Sequence, residues 1–121
     1  MENTQRAASV EFLEFLAHIS NSATGEISLP MLAGSLSLRD EELFQRWDER
    51  GHSIAWPVFA DEILAVLDAA QDLTLNLART IEWYRHEPIE RFGMRTADKV
   101  VTRGNARHLV QVLKQGNLPI R

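Results

Sequence analysis

The sequence predicts an all-α fold, a compact bundle of about six to seven short helices. Apolar residues recur at intervals of three and four through most of the chain, and no stretch sustains the alternating pattern of a strand. Pro, Gly, and Ser, Thr or Asn placed before apolar runs divide the chain into segments of helical length. With 121 residues, 45% hydrophobic and 25% charged, the chain can bury a core and has the composition of a soluble globular protein.

The first predicted helix lies near the N-terminus and ends at the polar segment SNSATGE. Its apolar residues are spaced for one helical face and are Phe12, Leu13, Leu16 and Ile19. Phe12, Phe15 and Leu16 make this face wider than one helix partner covers. We expect a homodimer, and whether it uses this helix stays open.

The second and third predicted helices form a short pair. Ser28 is placed to cap the second, with Pro30 tolerated in its first turn. The inner face of this second helix is predicted to consist of Leu29, Leu32, Ala33 and Leu36. Ser37, followed three residues later by Asp40, resembles a capping box that opens the third helix. That helix is expected to stop at Gly51 and to direct inward Leu43, Phe44 and Trp47.

The fourth and fifth predicted helices occupy the middle of the chain. Pro57 opens the fourth, whose residues at helical intervals are Phe59, Ile63, Val66 and Leu67. The fifth begins at about Leu75, runs through Ala78, Ile81 and Tyr84, and must end before Pro88, because a residue preceding proline disfavours helical geometry.

Two shorter helices complete the prediction. Thr96 caps the sixth, which Gly104 ends. Asn105 caps the seventh, which carries Leu109, Val110 and Leu113 and is closed by Gly116.

The net charge of −4 hides an asymmetry along the chain. Up to Ala78 there are four basic and thirteen acidic residues, and from Arg79 onward nine basic and four acidic. Such a split predicts that the halves attract each other, within or between chains, or that they face different partners. An unevenly charged solvated surface is the simpler alternative. We divide the chain into an N-terminal region, 1–56, and a C-terminal region, 57–121.

The helix pair at 28–50 has the layout of a degenerate helix-turn-helix. Its second helix would offer Arg39, Arg46 and Arg50 to operator DNA. The same helix carries five acidic residues, which oppose the phosphate contacts that provide most of the affinity for DNA. A structural or dimerising helix pair is therefore the favoured interpretation, and DNA binding the weaker one.

Catalytic and metal-binding patterns are absent from the sequence. There is no cysteine, and the four histidines are scattered without the spacing of a helical metal site: His18, His52, His86 and His108. We expect no enzymatic activity, no cofactor and no metal. No apolar run reaches the length of a membrane span, and the N-terminus lacks a signal-peptide pattern, so we expect a cytoplasmic protein without membrane contact.

The C-terminal half resembles the toxin-binding domain of Xre/MbcA/ParS-type antitoxins. The similarity lies in WYRHEPI, FGMRTADKVVTRG and ARHLVQVL, and in the order of features they contain. These are a Trp-bearing helix, a Pro- and Gly-containing turn, a short capped helix, a glycine and a final apolar helix. The residues that carry this order, to which we assign structural roles, are Trp83, Pro88, Gly93, Thr96 and Gly104.

The resemblance implies an antitoxin that neutralises a cognate protein toxin by covering its active site. Family members pair with NAD-consuming toxins of the RES type or with ADP-ribosylating relatives. By that similarity the candidate toxin-binding residues are Arg91, Arg95, Arg103, Arg107, Asn117, Leu118, Pro119, Ile120 and Arg121. The last five belong to a tail expected to plug the toxin's pocket, with chain-end disorder as the alternative. A transcriptional regulator and a helical dimerisation or adaptor module remain the competing functions.

Overall fold

The computed structural model describes residues 2–51, 54–116, 118 and 120, with side chains from Val10 onward. Within these residues the chain forms α-helices, one 3₁₀ helix (Glu90–Phe92) and no strand, which confirms the predicted all-α class. The α-helices are α1 (Glu2–Ile19), α2 (Leu29–Ser35), α3 (Asp40–Arg50), α4 (Trp56–Thr74), α5 (Leu77–His86), α6 (Ala97–Thr102) and α7 (Ala106–Lys114).

Helix α4 is the centre of the bundle and packs against α1, α3, α5, α6 and α7. The four residues predicted to face inward from it are all buried: Phe59, Ile63, Val66 and Leu67. Complete burial of an apolar side chain of this size stabilises a fold by about 1.5–3 kcal/mol. The periodicity of this one helix therefore accounts for much of the core.

Polar side chains cap the starts of α2 and α6 as the sequence predicts, whereas the predicted cap of α7 is wrong. The Ser28 hydroxyl accepts a hydrogen bond from the backbone N–H of Met31 at 3.3 Å, which caps α2. The Thr96 hydroxyl accepts in the same way from Lys99 at 3.3 Å, which caps α6. Asn105 takes the corresponding position before α7, but its side chain forms no capping hydrogen bond.

The predicted start of α3 is wrong. The residue before the helix is Arg39, and its backbone N–H donates to Glu42 Oε1 at 2.9 Å, so the glutamate closes the first turn. Ser37 instead belongs to the turn that ends α2, where it has a left-handed φ of 59° and its N–H donates to the Gly34 carbonyl. The capping box expected from Ser37 and Asp40 does not form, because the intervening turn uses two more residues.

Two apolar residues predicted to face inward are exposed. Leu13 is 63% exposed and Phe44 is 52% exposed. Each follows a residue that holds the inner face, Phe12 in α1 and Leu43 in α3. In each pair, packing buries one residue and leaves its neighbour, about 100° away in direction, facing solvent.

The junction between α4 and α5 lies later than predicted. Leu75 closes α4 in a left-handed conformation with φ of 57°, and the Asn76 side chain accepts from the N–H of Arg79 at 2.8 Å to cap α5. The α5 helix ends at His86, two residues before Pro88, as expected. Its first N–H, on Leu77, also donates to Glu11 of α1 at 3.1 Å, which ties the two helices together.

One buried apolar cluster contains residues from both predicted regions, among them Leu32, Leu43, Phe59 and Leu109. The boundary drawn between residues 56 and 57 falls in the first turn of α4, and the division into two regions stays a prediction. No helix within the described part of the chain combines the length and the apolar character needed to cross a bilayer.

Candidate functional site

A buried carboxylate joins three helices on one side of the bundle. Asp98, in the first turn of α6, is 6% exposed. Arg46 of α3 donates from Nε to both of its oxygens, at 2.8 and 2.9 Å, and from Nη1 to the Glu42 carbonyl at 3.0 Å. Arg85 of α5 places Nε 3.7 Å from Asp98 Oδ2. The carboxylate therefore fixes α6 against α3 and α5.

The same arginine on α5 also reaches α2. Arg85 Nη1 donates to the carbonyls of Leu36 and Ser37, which end that helix. A cation at a helix C-terminus complements the exposed carbonyl groups and the helix dipole. Arg85 thus links α2, α5 and α6 with one side chain.

Burial and charge set the electrostatics of this cluster. Burial lowers the pKa of Arg46, but the hydrogen bond and the charge of Asp98 outweigh it, so the pKa lies above its ordinary value. Tyr84 is 1% exposed beside the cluster. Burial, reinforced by the negative charge of Asp98, raises the pKa of its phenol well above 10. Both groups therefore hold one protonation state across the physiological range.

A second ion pair holds α3 to α4. Arg50 donates from Nε and Nη2 to the two oxygens of Glu62, at 3.0 and 2.8 Å. Its guanidinium lies over Gly104, where an added Cβ would meet Arg50 Cζ at 3.4 Å. Gly104 also has φ of +89°, a conformation that favours glycine. The nearby guanidinium and the positive φ therefore both favour glycine in the turn between α6 and α7.

Between α3 and α6 lies an open groove of about 820 Å³, which we call the α3–α6 groove. Its walls are lined by Gln45, Arg46, Glu49, Arg95, Asp98, Lys99, Thr102, Arg103 and Asn105. It brings two of the predicted toxin-binding residues, Arg95 and Arg103, next to one of the predicted DNA-binding residues, Arg46.

The rim of the groove is cationic and uncompensated. Arg95, Lys99 and Arg103 are exposed, and none forms an ion pair or hydrogen bond through its side chain to the described residues. The other two predicted arginines, Arg91 and Arg107, are also exposed but do not line the groove. The structure therefore places two of the four arginines in the α3–α6 groove and two outside it.

The predicted tail is partly folded back onto its own chain. Leu118 is 8% exposed, belongs to the core cluster, and lines a 570 Å³ groove with Trp83, Pro88 and Ile89. Ile120 is half-buried against the same core. The remaining predicted tail residues lie outside the described part of the chain, namely Asn117, Pro119 and Arg121.

The predicted DNA-binding arginines are placed unequally. Arg46 and Arg50 hold Asp98 and Glu62 within the fold, whereas Arg39 is exposed and lies 3.5 Å from Glu42. Phosphate binding by α3 would require the first two guanidinium groups to exchange their carboxylate partners. Operator binding stays a prediction, and this geometry does not add to it.

The structural residues of the predicted C-terminal domain sit at element boundaries. Trp83 is buried, and Gly93 has a left-handed φ of 68° after the 3₁₀ helix. The turn between α5 and α6 is held by Ile89, whose N–H donates to the Arg95 carbonyl and whose carbonyl accepts from Met94, both at 2.9 Å. This turn fixes the backbone position of Arg95, the first of the arginines that line the groove.

The ion pair between Arg46 and Asp98 joins the two halves with charges opposite to their net signs. The cation comes from the acidic N-terminal half and the anion from the basic C-terminal half. An attraction between the net charges of the two halves stays a prediction.

Sequence reasoning missed Asp98 and Lys99 as site residues. Asp98 is the only acidic residue after Glu90, and an isolated acid in a basic segment was the available signal for a paired carboxylate. Lys99 lies between Arg95 and Arg103 in the sequence, so the basic run itself was the available signal for it. No group of three His, Cys, Asp or Glu side chains suited to a metal occurs among the described residues.

Comparison with known proteins adds no assignment: no protein-family model, curated protein or solved structure matches this chain. The functional interpretation therefore rests on the groove, its charges and the resemblance of the C-terminal half.

Proposed function

We propose that this chain is an antitoxin that acts in the cytoplasm by binding a cognate protein toxin and covering its active site. The observation that carries the proposal is the set of exposed arginines without internal partners among the described residues: Arg91, Arg95, Arg103 and Arg107. They stand on short elements that pack against the buried core, so binding has to order the arginine side chains and not the backbone that carries them.

The order of elements in the C-terminal half supports the resemblance on which the proposal draws. A helix carrying buried Trp83 ends before Pro88, a glycine turn follows, and Thr96 caps a short helix. Gly104 then leads into the final helix. By the same resemblance, the partner we propose is a NAD-consuming toxin of the RES type or an ADP-ribosylating relative.

The burial of Leu118 shifts the expected contact surface from the tail to the arginines. For the tail to plug a toxin pocket, Leu118 must leave its own core, which costs about 1.5–3 kcal/mol. The toxin's pocket would have to offset that cost. We therefore propose that the four exposed arginines provide the main contact with the toxin and that the tail provides a secondary one.

Expression of the product of an adjacent gene tests the proposal. That product is expected to arrest growth alone, and co-expression of this chain is expected to restore growth. Charge reversal of the four arginines to Glu should abolish rescue, whereas reversal of Arg39, which precedes α3, should not. A harmless neighbour product, or rescue that survives reversal of all four arginines, would overturn the proposal.

A homodimer through α1 is part of the proposed assembly. Val10 and Leu13 are 48% and 63% exposed on that helix, a surface on which a second copy could pack. Light scattering should give twice the chain mass, and Leu13→Glu should halve it. A monomer at all concentrations would remove the dimer from the proposal.

A further inference from the structure

We infer that the α3–α6 groove binds a carboxylate-bearing segment of the protein partner, with Lys99 at its centre. The inference rests on the proposed function and deepens it by naming the partner's chemistry and the residues that meet it. Two of its cations were predicted as toxin-binding from the sequence, whereas Lys99 was not.

Three cations line the groove together. Lys99 lies within α6, Arg95 just precedes the Thr96 cap, and Arg103 is the residue that ends the helix. The helix and the turn before it therefore bring all three to the same groove. Like charges held side by side repel one another, so an anion placed between them gains from each.

The floor of the groove does not neutralise these three cations. The negative charge of Asp98 is shared between Arg46 and Arg85, and it faces them inside the fold. Asn105 lines the groove with a side chain that caps no helix, and Gln45 contributes a second amide. The site therefore offers cations for charge and amides for orientation.

Carboxylates fit these cations closely. Arginine binds a carboxylate through two parallel N–H···O bonds, and lysine adds a compact point charge. Carboxylates of a partner segment that enters the groove would therefore meet cations from α6 and from the turn before it.

The opposite wall argues against nucleic acid. Glu49 lines the groove, and α3 exposes Asp40 and Glu41 beyond it. Duplex DNA carries one negative charge per about 1.7 Å of its axis, so a strand longer than the groove would run over these acids. A protein segment can place a few carboxylates in the groove and neutral residues outside it.

The test is a titration of the ¹⁵N-labelled full chain with a ten-residue peptide that carries glutamate at every fourth position and neutral residues elsewhere, followed by NMR at 50 mM salt. Backbone shifts are expected at residues lining the groove. The two lysines of the chain provide a matched pair: Lys99→Glu should weaken binding at least fivefold, and Lys114→Glu, on α7 and outside the groove, less than twofold. A ten-residue thymidine oligonucleotide in the same buffer should bind more weakly than the peptide.

Three results would overturn the inference: no binding of the peptide, shifts that map away from the groove, or tighter binding of the oligonucleotide. An equal effect of the two lysine reversals would do the same. Because this titration contains no toxin, its outcome is independent of the growth rescue. Failure of rescue with a positive titration would reject the antitoxin function and leave the carboxylate site standing.

Discussion

Removal of the Asp98 carboxylate is expected to destabilise the fold more than any other single change on the surface of the groove. Asp98→Ala leaves Arg46 and Arg85 without their shared anion. Breaking a buried ion pair by removing one partner costs about 3–5 kcal/mol. Because the arginine side chains are 26% and 17% exposed, water replaces part of the lost interaction. We expect the lower end, about 3 kcal/mol, which corresponds to a fall of about 10 °C in Tm for a domain of this size.

Urea denaturation followed by circular dichroism and tryptophan fluorescence measures this cost. Arg46→Ala and the double variant complete a cycle, and we expect a coupling of about 1–2 kcal/mol between the two residues. Asp61→Ala is the matched control, because this aspartate is exposed on α4 and such a change alters stability by less than about 0.5 kcal/mol.

A small effect would refute this reasoning. If Asp98→Ala lies within about 1 kcal/mol of the wild type, or if the cycle shows no coupling, the carboxylate does not hold α6 in place. The groove would then lack the fixed floor that the binding inference requires.

Three further predictions concern stability. Tyr84 is the only tyrosine, and its phenol stays protonated in the fold while the unfolded phenol ionises near pH 10. The free energy of unfolding should therefore fall by about 1.4 kcal/mol per pH unit above 10, and phenolate absorbance should appear only on unfolding. Tyr84→Phe should remove this pH dependence. Phenolate absorbance that precedes unfolding would contradict the prediction. Gly104→Ala, at positive φ, should lower the free energy of unfolding by about 1–2 kcal/mol. Gly34→Ala, within α2 and in open space, should raise it by about 0.5–1 kcal/mol. Chemical denaturation compares the two variants, and a change of the same sign in both would count against the structure. Leu118→Ala should cost about 2 kcal/mol by the same measurement, and no change would mean that the tail is undocked.

Local features of this fold were predictable from the sequence. The caps Ser28 and Thr96, the helix stop before Pro88 and the inner face of α4 depend on residues within a few positions of one another. The helical spacing of apolar residues and the chemistry of capping side chains determine such features directly.

The errors arose where two local patterns competed. In α1 and α3 a run of adjacent apolar residues offered two inward directions, and packing against α4 selected Phe12 and Leu43 over Leu13 and Phe44. At the start of α3 the turn after α2 displaced the expected Ser37 cap. Tertiary packing decided each case, and single-helix periodicity contains no information about it.

The site was only partly predictable, because it joins distant segments. Arg46 and Asp98 are 52 positions apart, and no spacing rule connects them. The basic character of the C-terminal half did indicate the cationic surface. It could not show that Arg95 and Arg103 share a groove while Arg91 and Arg107 lie outside it.

Hydrogen–deuterium exchange on the complex with the co-expressed partner tests the central claim most directly. Backbone amides from 95 to 107, which line or flank the groove, are expected to exchange at least tenfold more slowly in the complex. Protection confined to α1, with this segment unchanged, would contradict the claim that the groove is where the chain meets its partner.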